Sequence, residues 1–349
     1  MRTVKRISGE VLGWLDTSFI VRDVVQKHND GYLELYSQDL DLLHRRDELR
    51  RYFTTEINKD LFFYQDGDFG NIYIFNGNDL QDYGVIEGPY QVSRNMRYEQ
   101  NLIIFNENDE ERYYYLDQNT MNVVPTGFSW INEFNYTHNG YGIRYYNSCI
   151  YCYSLETKEL VWKISTPEMQ YDRGGRHMAS ATPDNDVPYG CYFYEDLLIA
   201  VFKSHSAGID LKSGRIVWEN NLGSFISSDF LDNGILYVNR FGLFYQLDAS
   251  TGLLLNESDL YADGNILHYD ITTDMVYNEE HIYFCMTRKK TLVTLRKDTF
   301  DLVSEEKIPD TGDGLLYANA TTYLRGNKLF LTLGKEPLTS IYETLVYEV

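Results

Sequence analysis

The residues best suited to chemistry sit in one stretch, from Ser165 to Asp186, where a small basic group interrupts an otherwise acidic chain. Tyr171, Asp172, Arg173, Arg176 and His177 are its candidate binding residues. Guanidinium and imidazole donors of this kind hold a carboxylate or a phosphate through charge-assisted hydrogen bonds. Other constellations are incomplete. Cys149-Ile-Tyr-Cys152 has the spacing of half a zinc site, but a second pair is missing, and Cys191 and Cys285 stand alone. On a strand, residues three apart point to opposite faces, so buried structural thiols are expected. Asp66-Gly-Asp-Phe-Gly-Asn71 begins like a calcium loop, yet Gly70 stands where the third oxygen ligand belongs and no bidentate Glu follows. A hairpin turn is the expected reading. The histidines His28, His44, His138, His177, His205, His268 and His281 show no metal-ligand spacing. Neither a nucleophile elbow nor a phosphate loop is present, and no catalytic residue, metal or cofactor is expected.

The remaining charge clusters read as surface. Glu107-Asn-Asp-Glu-Glu111 and Glu305-Glu306 are carboxylate groups of the sort expected by chance among 52 acids, and solvated loops account for them. Arg45-Arg-Asp-Glu-Leu-Arg-Arg51 mixes signs, which favours local ion pairing on a short helix or turn over nucleic-acid contact. Arg288-Lys-Lys290 lies between two strand-like runs and reads as a hairpin tip. Runs such as Arg112-Tyr-Tyr-Tyr115 and Arg144-Tyr-Tyr146 put rings on both faces of a strand. Some of those rings fill space between sheets and others reach the surface, where Tyr is an effective contact residue.

The elements that position these residues follow from a repeat. An apolar run, an acidic or polar residue, two variable positions, Thr or Ser, often Gly, and a second apolar run recur along the chain. The clearest copies are Ile209-Asp-Leu-Lys-Ser-Gly-Arg-Ile-Val-Trp218 and Leu247-Asp-Ala-Ser-Thr-Gly-Leu-Leu-Leu-Asn256. Looser copies begin at Leu116, Tyr153 and Leu295, and two weak ones at Leu35 and Phe75. The pattern is a hairpin: Asp210 or Asp248 accepts bonds from backbone amides just ahead, and Gly214 or Gly252 supplies positive φ. Taking Asp39, Asp79, Thr120, Thr157, Ser213, Thr251 and Thr299 as equivalent gives steps of 40, 41, 37, 56, 38 and 48 residues. Four-stranded propeller blades recur at about this period. The long step contains the Ser165–Asp186 insertion.

The fold class expected is therefore all-β: a single β-propeller domain over residues 1–349, built of four-stranded antiparallel blades. Eight blades are counted, with seven as the alternative. The tail, Lys328–Leu333 and Ile341–Val349, lacks an outer strand that Thr3–Ile7 can supply, closing the ring. The repeat resembles the quinoprotein-type (PQQ-like) blade of pyrroloquinoline-quinone dehydrogenases and their non-enzymatic relatives. The resemblance is carried by Asp-x-x-Ser/Thr-Gly followed by Trp218 or Trp162, and it implies a blade and not an enzyme.

Composition limits the partners. The charge is −21, from 31 basic and 52 acidic residues, which repels nucleic acid and anionic membrane and favours a basic partner. The N-terminus has no apolar core segment of a signal peptide, no long apolar run suits a membrane span, and four scattered cysteines fit a reducing compartment. The sequons at Asn135, Asn256 and Asn319 are then incidental. These features lead to a cytoplasmic, non-catalytic protein-binding propeller, with a bacterial immunity or antitoxin-like role as the narrower expectation. The alternative is a small-molecule or carbohydrate-binding propeller, enzymatic or not, with its site in the central channel.

Overall fold

Apolar and polar residues alternate over short runs, and these runs form strands. The structure, a computed structural model, describes residues 2–15, 17–25, 30–47, 55–56, 60–65, 70–98, 101–106, 113–117, 119–126, 135–146, 149–165, 188, 190–202, 205–222, 228–240, 242–260, 273–286, 289–309, 320–336 and 339–349. After β1 (Arg2–Ser8), the strands β2 (Glu10–Trp14), β3 (Ser18–Val25), β4 (Asp30–Ser37) and β5 (Leu42–Asp47) form one antiparallel sheet in that order. A seven-stranded sheet follows: β6 (Thr55–Glu56), β7 (Leu61–Gln65), β8 (Gly70–Asn76), β9 (Asp82–Tyr98), β10 (Asn101–Phe105), β11 (Tyr113–Leu116) and β12 (Val123–Pro125). Its long β9 is shared, pairing with β8 from Asp82 to Tyr90 and with β10 from Gln91 to Tyr98. The sheet is thus two four-stranded sets joined through one strand.

Three more four-stranded sheets follow in sequence order. They are β13 (Tyr136–His138), β14 (Tyr141–Tyr146), β15 (Cys149–Ser154) and β16 (Leu160–Ser165); β17 (Gly190–Tyr194), β18 (Leu197–Val201), β19 (His205–Asp210) and β20 (Ile216–Asn221); and β21 (Ser228–Asp232), β22 (Ile235–Arg240), β23 (Leu243–Asp248) and β24 (Leu254–Asp259). A further sheet holds β25 (Val276–Tyr277), β26 (His281–Met286), β27 (Thr291–Arg296) and β28 (Leu302–Lys307). The last three strands, β29 (Thr321–Arg325), β30 (Lys328–Glu336) and β31 (Thr339–Glu348), take β1 as their outermost neighbour, as the sequence predicts. Ile7 is buried there, and the Thr344 hydroxyl donates to the Gly9 carbonyl at 2.7 Å.

The chain divides into two compact units, Met1–Asn132 with Pro309–Val349, and Glu133–Ile308. In the first, Phe62 and Phe75 stack within a core that includes Leu15, Ile20 and Leu80. In the second, successive sheets enclose separate apolar layers, one around Ile143, Cys152, Trp162 and Leu198 and another around Leu236, Val238 and Trp218.

All seven copies of the repeat, the weak ones included, form the same turn between a third and a fourth strand. The residue after each equivalent point, Leu40, Leu80, Met121, Lys158, Gly214, Gly252 or Phe300, has φ between 57° and 70°. Asp248 Oδ1 accepts bonds from the amides and hydroxyls of both Ser250 and Thr251, and Asp210 Oδ1 does the same with Ser213.

Glycine occurs in two of the seven turns because of what lies on it. Trp162 donates its indole N–H to Leu211 O at 2.7 Å and covers Gly214, where an added Cβ would come within 2.6 Å of the ring. Trp218 does the same to Ala249 O, at 3.1 Å, and covers Gly252. At the next turn the preceding outer strand carries Asn256 at the position of Trp218. There Gln246 Nε2 donates to Lys297 O at 2.7 Å, and the buried ring of Phe300 fills the space. A bulky residue with an uncommon φ has replaced a bulky residue on the neighbouring sheet.

Candidate functional site

Tyr171, Asp172, Arg173, Arg176 and His177 lie outside the described residues. Their segment follows β16, which ends at Ser165, and leads to β17, which opens at Gly190. The other sequence candidates are placed. All four cysteines are free. Cys152 is buried and Cys149 half-buried on β15, and burial pushes the Cys152 thiol up to about 12. The segment 66–69 lies outside the described residues, but it joins β7 to its antiparallel partner β8, as a hairpin turn requires. Lys289 and Lys290 form the turn between β26 and β27. Among the described residues no group of three His, Cys, Asp or Glu side chains is placed to hold a metal, and no helix is long and apolar enough to cross a membrane.

One expectation needs correction. Arg45–Asp47 belongs to a strand, β5, and not to a short helix or turn. Its mixed charges do pair, locally and beyond: Arg45 bonds Asp47 on the same strand at 2.8 Å and Glu34 on β4 at 3.1 Å, and Arg46 bonds Asp82 of the following sheet at 2.7 Å. Residues 48–54 lie outside the described set.

The described residues assemble a polar cluster that no sequence motif announces. It lies where the first strands of successive sheets begin in the second unit. Gly190, Cys191 and Tyr192 open β17, Ser228 and Asp229 open β21, and Asp274 precedes β25. Alternation along β17 sends Gly190 and Tyr192 to one face and Cys191 to the other. Tyr192 donates its hydroxyl to the Asp229 carbonyl at 3.0 Å and also bonds the Asp229 side chain. Asp229 Oδ2 is buried without a hydrogen-bond partner. A Cβ at position 190 would overlap that oxygen, so glycine lets the carboxylate close against β17. Burial raises the Asp229 carboxyl to about 6, the nearby Asp274 adds to the rise, and the Tyr192 bond opposes it.

On the opposite face of β17, the Cys191 thiol and Tyr145 hydroxyl bond each other, and the Tyr136 ring lies 6.2 Å from that of Tyr145. Burial pushes the Cys191 thiol up to about 12 and raises the phenols of Tyr145 and Tyr136. At neutral pH the thiol and phenols therefore keep their protons while Asp229 is ionised. The arrangement presents phenolic rings and hydroxyls beside two carboxylates, which suits a cationic group. It lacks an activated thiolate. A second buried charge nearby is structural: Lys297 pairs with Asp232, donates to Asn278 O at 3.3 Å and lies 4.7 Å from the centre of the Tyr277 ring.

No protein-family model matches the chain, and no curated protein matches it. Solved structures do. The chain is similar to BamB from Moraxella catarrhalis at 13% identity and a TM-score of 0.58, covering 100% of this chain and 99% of that one. It is similar to Sqt1 from Saccharomyces cerevisiae at 10% identity and 0.57, covering 98% and 95%. It is also similar to the dihydro-heme d1 dehydrogenase NirN, solved in complex with DHE, at 12% identity and 0.54, covering 85% and 66%. Identities of this size carry architecture and not activity, and the names already differ in kind. Together with the repeated four-stranded antiparallel sheets, they show that the chain has a β-propeller fold.

Proposed function

We propose that the chain is a non-catalytic, cytoplasmic protein-binding propeller, one domain of eight blades closed as a ring by the pairing of β1 with β31, and that it holds a partner with a basic surface. The observation that carries this reading is the Asp229 cluster, where the buried Asp229 carboxylate lies against Gly190 and Tyr192, with the Asp274 carboxylate near it. A lysine or arginine side chain suits that setting, because carboxylate and ring faces both favour a cation. The charge of −21 favours encounter with a basic protein. Protonated Cys191 and Tyr145 support binding over nucleophilic catalysis. Within this class the role is immunity or antitoxin-like: a rigid acidic surface covers the working face of a basic partner and blocks it.

The test is capture from the native host on the immobilised chain, at low and at high salt, beside a variant carrying Asp229→Asn and Asp274→Asn. One stoichiometric basic protein is expected, released by salt and lost from the variant. Retention that ignores both salt and the substitutions overturns the reading. So does the absence of any protein together with a sugar-dependent rise in melting temperature or with substrate turnover.

A further inference from the structure

Asp229 stands at the start of β21, and its carboxylate is set among apolar strands. Its partner across the β21–β22 hairpin is Val238, and the glycine it lies against, Gly190, pairs with Val201. Both valines are fully buried and belong to one apolar layer. Oδ2 is sealed there without a hydrogen-bond donor, in the space that a Cβ on residue 190 would take. A carboxylate so placed has lost hydration and gained no bond at that oxygen. It takes up a proton more readily than one in water.

The titratable groups that act on it come from three packed elements and its surroundings are accordingly mixed. Tyr192 of β17 donates to the Asp229 carbonyl at 3.0 Å and bonds its carboxyl, Cys191 of β17 and Tyr136 of β13 feel its charge, and Asp274, ahead of β25, brings a like charge. Burial and the charge of Asp229 raise both phenols and the thiol, so these three stay neutral while Asp229 titrates. For Asp229 itself, burial and then Asp274 favour the proton against the Tyr192 bond, and the carboxyl is pushed up to about 6.

We infer that Asp229 is a proton-operated release for a cationic partner: ionised, it holds a lysine or arginine of that partner, and on taking a proton from solvent it gives the cation up. This rests on the proposed protein-binding role and adds its regulation, since the complex forms at neutral pH and separates in mildly acidic surroundings. Linkage makes the effect reciprocal. A proton weakens the hold on the cation, and a bound cation keeps the proton off.

The test uses the full chain, the Asp229→Asn variant and a labelled peptide of five lysines, read by fluorescence anisotropy at constant ionic strength between pH 7.5 and pH 5. With the carboxyl at about 6, affinity for the unaltered chain is expected to fall about tenfold over that range. For the variant the fall should be less than about threefold, because ordinary carboxylates stay largely ionised above pH 5. Calorimetry in two buffers of different ionisation enthalpy counts the proton on the unaltered chain and needs no variant. Near pH 6 the peptide should displace about half a proton per chain. Equal pH dependence of chain and variant, binding that displaces no proton, or no binding of the peptide at pH 7.5 overturns the inference, and a host protein captured at neutral pH leaves the protein-binding role standing. Capture that fails while the peptide still displaces its proton overturns that role and not this one.

Discussion

Asp229 has a carboxyl raised on folding, from 3.8 to about 6, so the folded chain holds that proton more tightly than the unfolded chain does. Stability from this group therefore falls as pH rises from about 4 to about 6, and the full cost is present above that window. The turn aspartates Asp210 and Asp248 run the other way. Their carboxyls are lowered, first by bonds from neighbouring hydroxyls, so their contribution is lost only as pH falls below the ordinary carboxylate range. The two windows are separate. Asp229→Asn should stabilise the chain by about 1–3 kcal/mol at pH 7.5, with the difference vanishing near pH 4, as measured by urea denaturation across that range. A constant difference at every pH would show that the carboxyl is not raised. The contrast also explains what the sequence reveals at this scale. Asp248 is legible because its partners are two and three residues ahead, whereas Asp229 meets Tyr192 from 37 residues away and only after two sheets have packed.

Between neighbouring sheets the constraint is a shared volume, which explains why some copies of the repeat look strong and others weak. A search keyed on Gly and Trp finds Trp162 over Gly214 and Trp218 over Gly252. It undervalues copies in which the turn residue fills the space itself, as Leu80 and Phe300 do. Phe300→Gly should cost about 3 kcal/mol, somewhat less than a usual Phe truncation because the uncommon φ is relieved. Adding Asn256→Trp and Gln246→Gly rebuilds the arrangement of Trp218, which lies against Gly208 as well as Gly252. The triple variant should recover at least about 1 kcal/mol relative to Phe300→Gly, read from denaturant midpoints, and no recovery would mean that the docking position has been misassigned. The helix expected near Arg45 fails for a related reason. Arg45 does have a local partner in Asp47, but Glu34 lies 11 residues away and is brought near by strand pairing, and Asp82 lies 36 residues from Arg46 on the following sheet.

At the scale of the whole molecule, the steps of about 40 residues and the pairing of the N-terminal strand with the last strand were both legible, because they depend on spacing and alternation alone. The Asp229 cluster was not, because a β-strand start carries no motif. The pairing of β1 with β31 can be tested directly. Removing residues 1–8 leaves β31 with an unpaired edge, and should lower the melting temperature by at least about 5 °C and promote self-association, seen by calorimetry and light scattering. An unchanged melting temperature and a monodisperse sample would show that β1 is dispensable. The same pairing also sets an order of events during synthesis. Most sheets join strands made within a few dozen residues of one another, but the bond from Thr344 to Gly9 spans 335 residues. β1 must therefore wait while the 335 residues between these two positions are made before its partner strand exists.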